Sequence, residues 1–193
     1  MSTHRHFILY KPFGYLSQFV NNQTRRKNKK LLGELFDFPT GTMAIGRLDQ
    51  TSEGLLLLST DGKVSEEVRS RKVEKEYYVQ IDGQITEEAI VALNKSLELS
   101  NGKSKYQTLP SKTHKLESEP VFPVRTKKIR DDRHGPTSWI SVTLKEGKFR
   151  QVRKMTASVG FPTLRLIRVR IGHIKLEGLN AGDTLEVDHF NLS

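Results

Sequence analysis

Residues 46–62 read Gly46-Arg47-Leu48-Asp49-Gln50-Thr51-Ser52-Glu53-Gly54-Leu55-Leu56-Leu57-Leu58-Ser59-Thr60-Asp61-Gly62. Four consecutive leucines, opened by Gly54 and closed by the Asp61-Gly62 turn signal, predict a central strand buried on both faces. The turn leads into a helix through Arg69. Asp49 stands in the loop just before the strand. A carboxylate held there is rigid and partly desolvated, and it can act as a nucleophile where a cation keeps it ionised. A plainer role is to cap the turn, and residue chemistry alone favours that role by a modest margin.

Working outward, strands are predicted over His6–Tyr10, Met43–Ile45, Glu76–Ile81, Ser138–Leu144, Leu164–Ile171 and Thr184–Val187. Lys11-Pro12-Phe13-Gly14 reads as a turn, 20–30 as a loop and Leu31–Phe36 as a short helix. Thr86 is the expected N-cap of a helix reaching Asn94. Residues 150–159 fit a helix closed by Gly160, with Val152, Met155 and Val159 on one stripe and Arg150, Arg153 and Lys154 on another. Residues 103–133 are less regular, with several short strands expected, and 130–136 read as an exposed loop. Strands dominate and helices fall between groups of them, which argues for an α+β sheet domain. No internal repeat or domain boundary is visible, so 193 residues form one domain or two lobes sharing a continuous sheet.

Composition narrows the chemistry. Hydrophobic residues make up 35% of the chain, lean but enough for a core. The absence of cysteine removes disulfide scaffolds, thiolate zinc clusters and cysteine nucleophiles. No apolar run approaches the roughly 18 residues of a membrane-spanning helix. The first six residues lack the apolar core of a signal peptide. A soluble, cytoplasmic protein with no membrane partner is therefore expected.

The net charge of +10 is segregated. Residues 121–175 hold fourteen cations against Asp131, Asp132 and Glu146, which accounts for the whole surplus. A second cluster, Arg25-Arg26-Lys27-Asn28-Lys29-Lys30, carries five cations and no acid. Segregation of this kind favours a phosphate-facing surface. In Ile167-Arg168-Val169-Arg170-Ile171 the cations alternate with apolar residues, predicting a strand with one basic face and one buried face. Arg25, Arg26, Lys27, Arg47, Arg125, Lys127, Lys128, Arg130, Lys148, Arg150, Arg165 and Arg168 are the candidate nucleic-acid contacts. Nucleotide-binding glycine motifs, zincin histidine spacings and a nucleophile elbow are missing. A DNA-binding reading lacks a helix-turn-helix with a basic recognition helix.

The 46–62 stretch resembles the signature of the RsuA-type pseudouridine synthases, G-R-L-D-x-x-[ST]-x-G-L-L-L-L-T-x-D-G. Lys75-Glu76-Tyr77-Tyr78-Val79 resembles the family's K-x-Y-x-V. Glu146-Gly147-Lys148-Phe149-Arg150-Gln151-Val152-Arg153-Lys154-Met155 resembles its E-G-[RK]-x-[RH]-Q-[VI]-R-[RK]-M. The three occur in family order and at about family spacing; Ser52 and Ser59 replace frequent threonines. The resemblance implies the pseudouridine synthase catalytic fold, a mixed, mainly antiparallel sheet flanked by helices. Pro136-Thr137-Ser138-Trp139 and the stretch 160–168 point to a branch without the small N-terminal S4-like domain. The implied reaction converts a uridine in large-subunit (23S) ribosomal RNA to pseudouridine, with no metal or other cofactor. The partner is ribosomal RNA or a ribosome assembly intermediate, and the enzyme is expected to be a monomer. By the same resemblance, Asp49 is the essential carboxylate, a nucleophile at the anomeric carbon or the group assisting elimination at the sugar. Arg153 is its ion-pair partner. Tyr77 stacks on the uracil and helps remove the C5 proton. A non-catalytic RNA-binding factor of the same fold shares the charge map; loss of Asp49, Tyr77 or Arg153 would favour it, and all three are present.

Overall fold

The computed structural model describes residues 4–20, 29–69, 73–102, 104–130 and 132–192. The elements run β1 (His6–Lys11), a 3-10 turn (Leu32–Glu34), β2 (Met43–Ile45), β3 (Glu53–Ser59), α1 (Gly62–Arg69), β4 (Lys75–Asp82) and α2 (Glu87–Leu93). They continue with β5 (Glu98–Ser100), β6 (Lys105–Gln107), β7 (Lys112–Lys115), a second 3-10 turn (Asp132–His134), β8 (Thr137–Leu144) and α3 (Gln151–Ser158). The last strands are β9 (Thr163–Ile171), β10 (Ile174–Lys175) and β11 (Thr184–Val187). The class is α+β with mainly antiparallel pairing, as expected. The chain divides into two compact units, Met1–Val73 with Arg168–Ser193, and Glu74–Ile167. Among the described residues no helix is long and apolar enough to cross a membrane.

The first unit is organised by the leucine run. All seven residues of β3 are buried, as the uninterrupted apolar pattern demands. β1 lies antiparallel to β3 from His6↔Ser59 to Lys11↔Gly54, and β11 pairs with the other edge of β1. β2 pairs with residues 57–59 of β3. The register puts Phe7 opposite Leu58 and Leu9 opposite Leu56. These four and Leu32 form a core at 0% exposure, sealed by Phe19, Leu35, Phe38 and Ala44. Gly54 has a φ of +102°. A Cβ there would lie 2.3 Å from the carbonyl oxygen of Arg168. Only glycine permits both that φ and that approach.

In the second unit, β4 pairs antiparallel with β8 along its full length, from Lys75↔Leu144 to Asp82↔Thr137. β7 takes the other edge of β8, while β5 and β6 form a separate two-stranded ribbon. Thr86 caps α2, its side chain accepting from the Ala89 amide at 3.3 Å. The Asn94 amide then ties the helix end to β7: Nδ2 donates to Thr113 O and Oδ1 accepts from Thr113 N, at 2.8 and 2.7 Å. α3 buries Val152 and Met155, and the chain leaves it through Gly160 at a φ of +89°.

Two expectations need correction. The 31–36 segment makes a single 3-10 turn instead of a longer helix. Gly33 lies inside it, and the Glu34 carboxylate accepts from the Leu31 amide, closing the segment locally. β9 lacks the open basic face expected of Arg168 and Arg170. Arg168 is only 4% exposed and Arg170 half-buried. Both guanidinium groups are bound to backbone carbonyls, Arg168 to Leu55 O at 2.7 Å and Arg170 to Gly172 O at 2.9 Å. Arg165, on the other face, is 7% exposed and donates to Pro123 O at 2.9 Å.

Candidate active site

Asp49 belongs to the first unit, where both of its chain neighbours are fastened. Leu48 is fixed by Ser17, whose hydroxyl donates to Leu48 O at 2.8 Å and accepts from Leu48 N at 3.0 Å. Gln50 is fixed by Gly14: the Gly14 amide donates to Gln50 O at 2.8 Å, and Gln50 Nε2 returns a bond to Gly14 O at 3.1 Å. The loop closes on itself through Ser52 N to Asp49 O at 3.0 Å, before buried Ser52 and Glu53 open β3. Leu48 is buried and Asp49 half-buried. A carboxylate with so little backbone freedom meets the requirement for preorganised chemistry. Arg47, two residues earlier, is exposed.

Below this loop lies a charged group that the sequence did not announce. Lys11, opposite Gly54 in the β1–β3 register, is 0% exposed. Its ammonium donates to Pro12 O and Tyr15 O, each at 2.9 Å. Burial pushes its pKa down to about 7; the Glu53 and Asp49 carboxylates oppose the shift and the Arg168 guanidinium adds to it. Asp49 therefore shares its surroundings with Lys11, Glu53 and Arg168. Lys11-Pro12 was read as turn chemistry, and only the register shows that the lysine points inward.

Tyr77 and Arg153 belong to the second unit. Tyr77 lies opposite Val142 and shares the buried face of β4 with Val79 and Ile81. Arg153 stands in the first turn of α3, half-buried. The loop before that helix is latched. Gln151 Oε1 accepts from Lys148 N at 3.0 Å, and its Nε2 donates to the Glu146 carboxylate at 2.7 Å. The same carboxylate oxygen accepts from Leu109 N at 2.7 Å. Glu146 and Gln151 were quoted in the sequence as motif letters; their work is to hold residues 146–151 in place. Arg150, at the head of α3, adopts a left-handed conformation with a φ of 52°.

The remaining candidate RNA contacts separate by exposure. Lys127, Lys128 and Arg150 are exposed, and Arg125 and Lys148 half-buried. Arg130 forms a two-pronged ion pair with Asp82 and also donates to Pro136 O. Its fork is thus committed within the unit, unlike the open loop cation expected. Arg165 and Arg168 are internal, as described. Arg25, Arg26 and Lys27 lie outside the described residues.

These motifs and this fold agree with the comparisons to known proteins. A family model described as RNA pseudouridylate synthase matches residues 5–158. The chain belongs to the RNA pseudouridylate synthase family. It is an isomerase of the pseudouridine synthase class. It is 41% identical over 177 residues to the ribosomal large subunit pseudouridine synthase E of Xanthomonas campestris, covering 91% of each chain. With the protein of the same description from Vibrio parahaemolyticus, identity is 37% over 182 residues, covering 93% of this chain and 72% of the relative. A crystal structure described as a pseudouridylate synthase superposes with a TM-score of 0.74 at 27% identity, covering 97% of this chain and 71% of that one.

Proposed function

We propose that the chain converts one specific uridine of large-subunit ribosomal RNA to pseudouridine, with Asp49 as the essential carboxylate. The observation that carries this reading is the 41% identity, over 91% of both chains, to a relative described as a ribosomal large subunit pseudouridine synthase E. The Asp49 loop supports it, because both chain neighbours of the acid are held by hydrogen bonds to Ser17 and Gly14. The reaction is an isomerisation. The C1′–N1 bond breaks, the uracil turns while held, a C1′–C5 bond forms, C5 loses its proton and N1 gains one. No atom is lost and no cofactor is required.

In this reading Asp49 acts on the sugar, by attack at C1′ or by assisting elimination. Arg153 is its ion-pair partner. Tyr77 stacks on the uracil and assists removal of the C5 proton. The uridine must leave its stack to reach Asp49, at a cost of a few kcal/mol. Phosphate contacts from Arg47, Arg125, Lys127, Lys128, Lys148, Arg150 and the 25–27 cluster offset that cost and make binding fall with salt. A cytoplasmic, monomeric enzyme acting on ribosomal RNA or an assembly particle completes the proposal. A pseudouridine map of ribosomal RNA from cells with and without the gene tests it. Loss of one large-subunit pseudouridine is expected; identical maps contradict it.

A further inference from the structure

The 146–151 segment holds a residue that the proposed chemistry leaves unused. Phe149 is 72% exposed. A lone exposed phenylalanine needs no explanation, but this ring is not alone. Lys154 Nζ lies 5.5 Å from its centroid. The same ammonium lies 5.8 Å from the ring of Tyr106, on β6, and Lys148 Nζ lies 4.1 Å from that ring. Two aromatic rings and two ammonium groups thus interleave, a pairing favourable in itself.

The loop is also stiff. Glu146 and Gln151 latch it on one side. On the other, Lys154 Nζ donates to Asn101 Oδ1 at 2.6 Å, tying α3 to the turn of the β5–β6 ribbon. Arg150, next to Phe149, is the one non-glycine residue with positive φ among those described. Such a conformation has a cost and persists only where the surroundings impose it. The strained residue thus directly follows the exposed ring. The one acid within it, Glu146, is buried; its Oε1 accepts from Leu109 N and Gln151 Nε2, and its Oε2 lies 4.0 Å from Lys148 Nζ.

We infer that Phe149, flanked by Lys148 and Lys154, is a stacking platform for an unpaired base of the RNA substrate. A rigid ring accepts the face of any base, and the ammonium groups meet the flanking phosphates. Paired bases have their faces covered, so the platform selects unpaired or splayed nucleotides. The inference rests on the RNA-modifying role proposed above and adds a subsite to it. An acidic protein surface would meet the lysines equally well but would give the ring no π-face to stack on.

The test uses full-length protein carrying Asp49→Asn, so that binding is read apart from turnover. Its partners are a fluorescein-labelled RNA hairpin with an unpaired loop and a blunt duplex of the same stem. Adding Phe149→Ala is expected to weaken hairpin binding by about 5- to 150-fold, the range for one lost base stack. Duplex binding, the salt slope and the thermal melt stay unchanged, and Phe149→Trp restores hairpin affinity. Lys148→Ala instead lowers the salt slope by about one. Equal hairpin affinity of the Phe149→Ala protein and its parent overturns the platform alone, and so does equal weakening on hairpin and duplex. A parent that binds neither RNA overturns the RNA-modifying reading, and the platform with it.

Discussion

The two units of this protein handle buried charge differently. The first takes charge inside. Lys11, Glu53 and Arg168 are all within 4% of full burial, grouped beneath the loop that carries Asp49. The second carries exposed cations on Lys127, Lys128 and Arg150, and its buried Arg165 and Glu146 stand apart from each other, bound to backbone and amide groups. Buried charge is costly and is retained where it fixes geometry. Exposed charge contributes little to stability and is available to phosphate.

The largest expected effect on folding is at Gly54. Gly54→Ala forces a Cβ into the Arg168 backbone at an unfavourable φ. It should destabilise the protein by about 3 kcal/mol or more, read by urea unfolding. A neutral result would mean that β3 and Arg168 approach less closely than described. Next comes Glu146→Ala, which strips Leu109 N and Gln151 Nε2 of their acceptor. A loss of about 2 kcal/mol is expected, with the loop before α3 becoming open to hydrogen exchange. Unchanged exchange there would remove the latch from the account.

Lys11 sharpens the comparison through pH. In the unfolded chain its amine holds a proton up to about pH 10.5, in the folded one only to about 7. Between those values the unfolded state binds more protons, so this group makes the protein more stable as pH rises. Below about 7 both states are protonated and the contribution is flat. Relative to Lys11→Met, wild-type stability should climb by about 1 kcal/mol per pH unit across that window. Parallel unfolding curves at pH 7 and pH 9 would contradict a buried, shifted lysine. The smallest effect belongs to the second unit's surface. Lys127→Ala should leave stability within about 0.5 kcal/mol and lower the salt slope of RNA binding by about one. A melt shifted by several degrees would show that this charge is structural after all.

Some of this arrangement could be read from residues alone. The β3 run is apolar without interruption, so burial on both faces was its natural outcome. Thr86 before two glutamates marked the start of α2 because its hydroxyl answers a backbone donor locally. β9 misled for a definite reason. Alternation of arginine with isoleucine and valine looks like one wet face, yet Arg168 and Arg170 find carbonyl acceptors within the protein. Lys11 and Glu53 were equally opaque, because a charged letter reads as surface until strand register places it. The Asp49 loop was legible as a motif, whereas its fastening by Ser17 and Gly14 depends on contacts more than thirty residues apart in the chain.

The account's central claim is that one clamped carboxylate acts on the sugar of a uridine. Asp49→Asn is nearly the same size and leaves the Ser17 and Gly14 bonds to its neighbours in place. The decisive measurement is tritium release from ribosomal RNA labelled at uridine C5, because forming pseudouridine expels that hydrogen. The variant should melt like wild type, bind RNA and release no tritium. Release at the wild-type rate would contradict the claim.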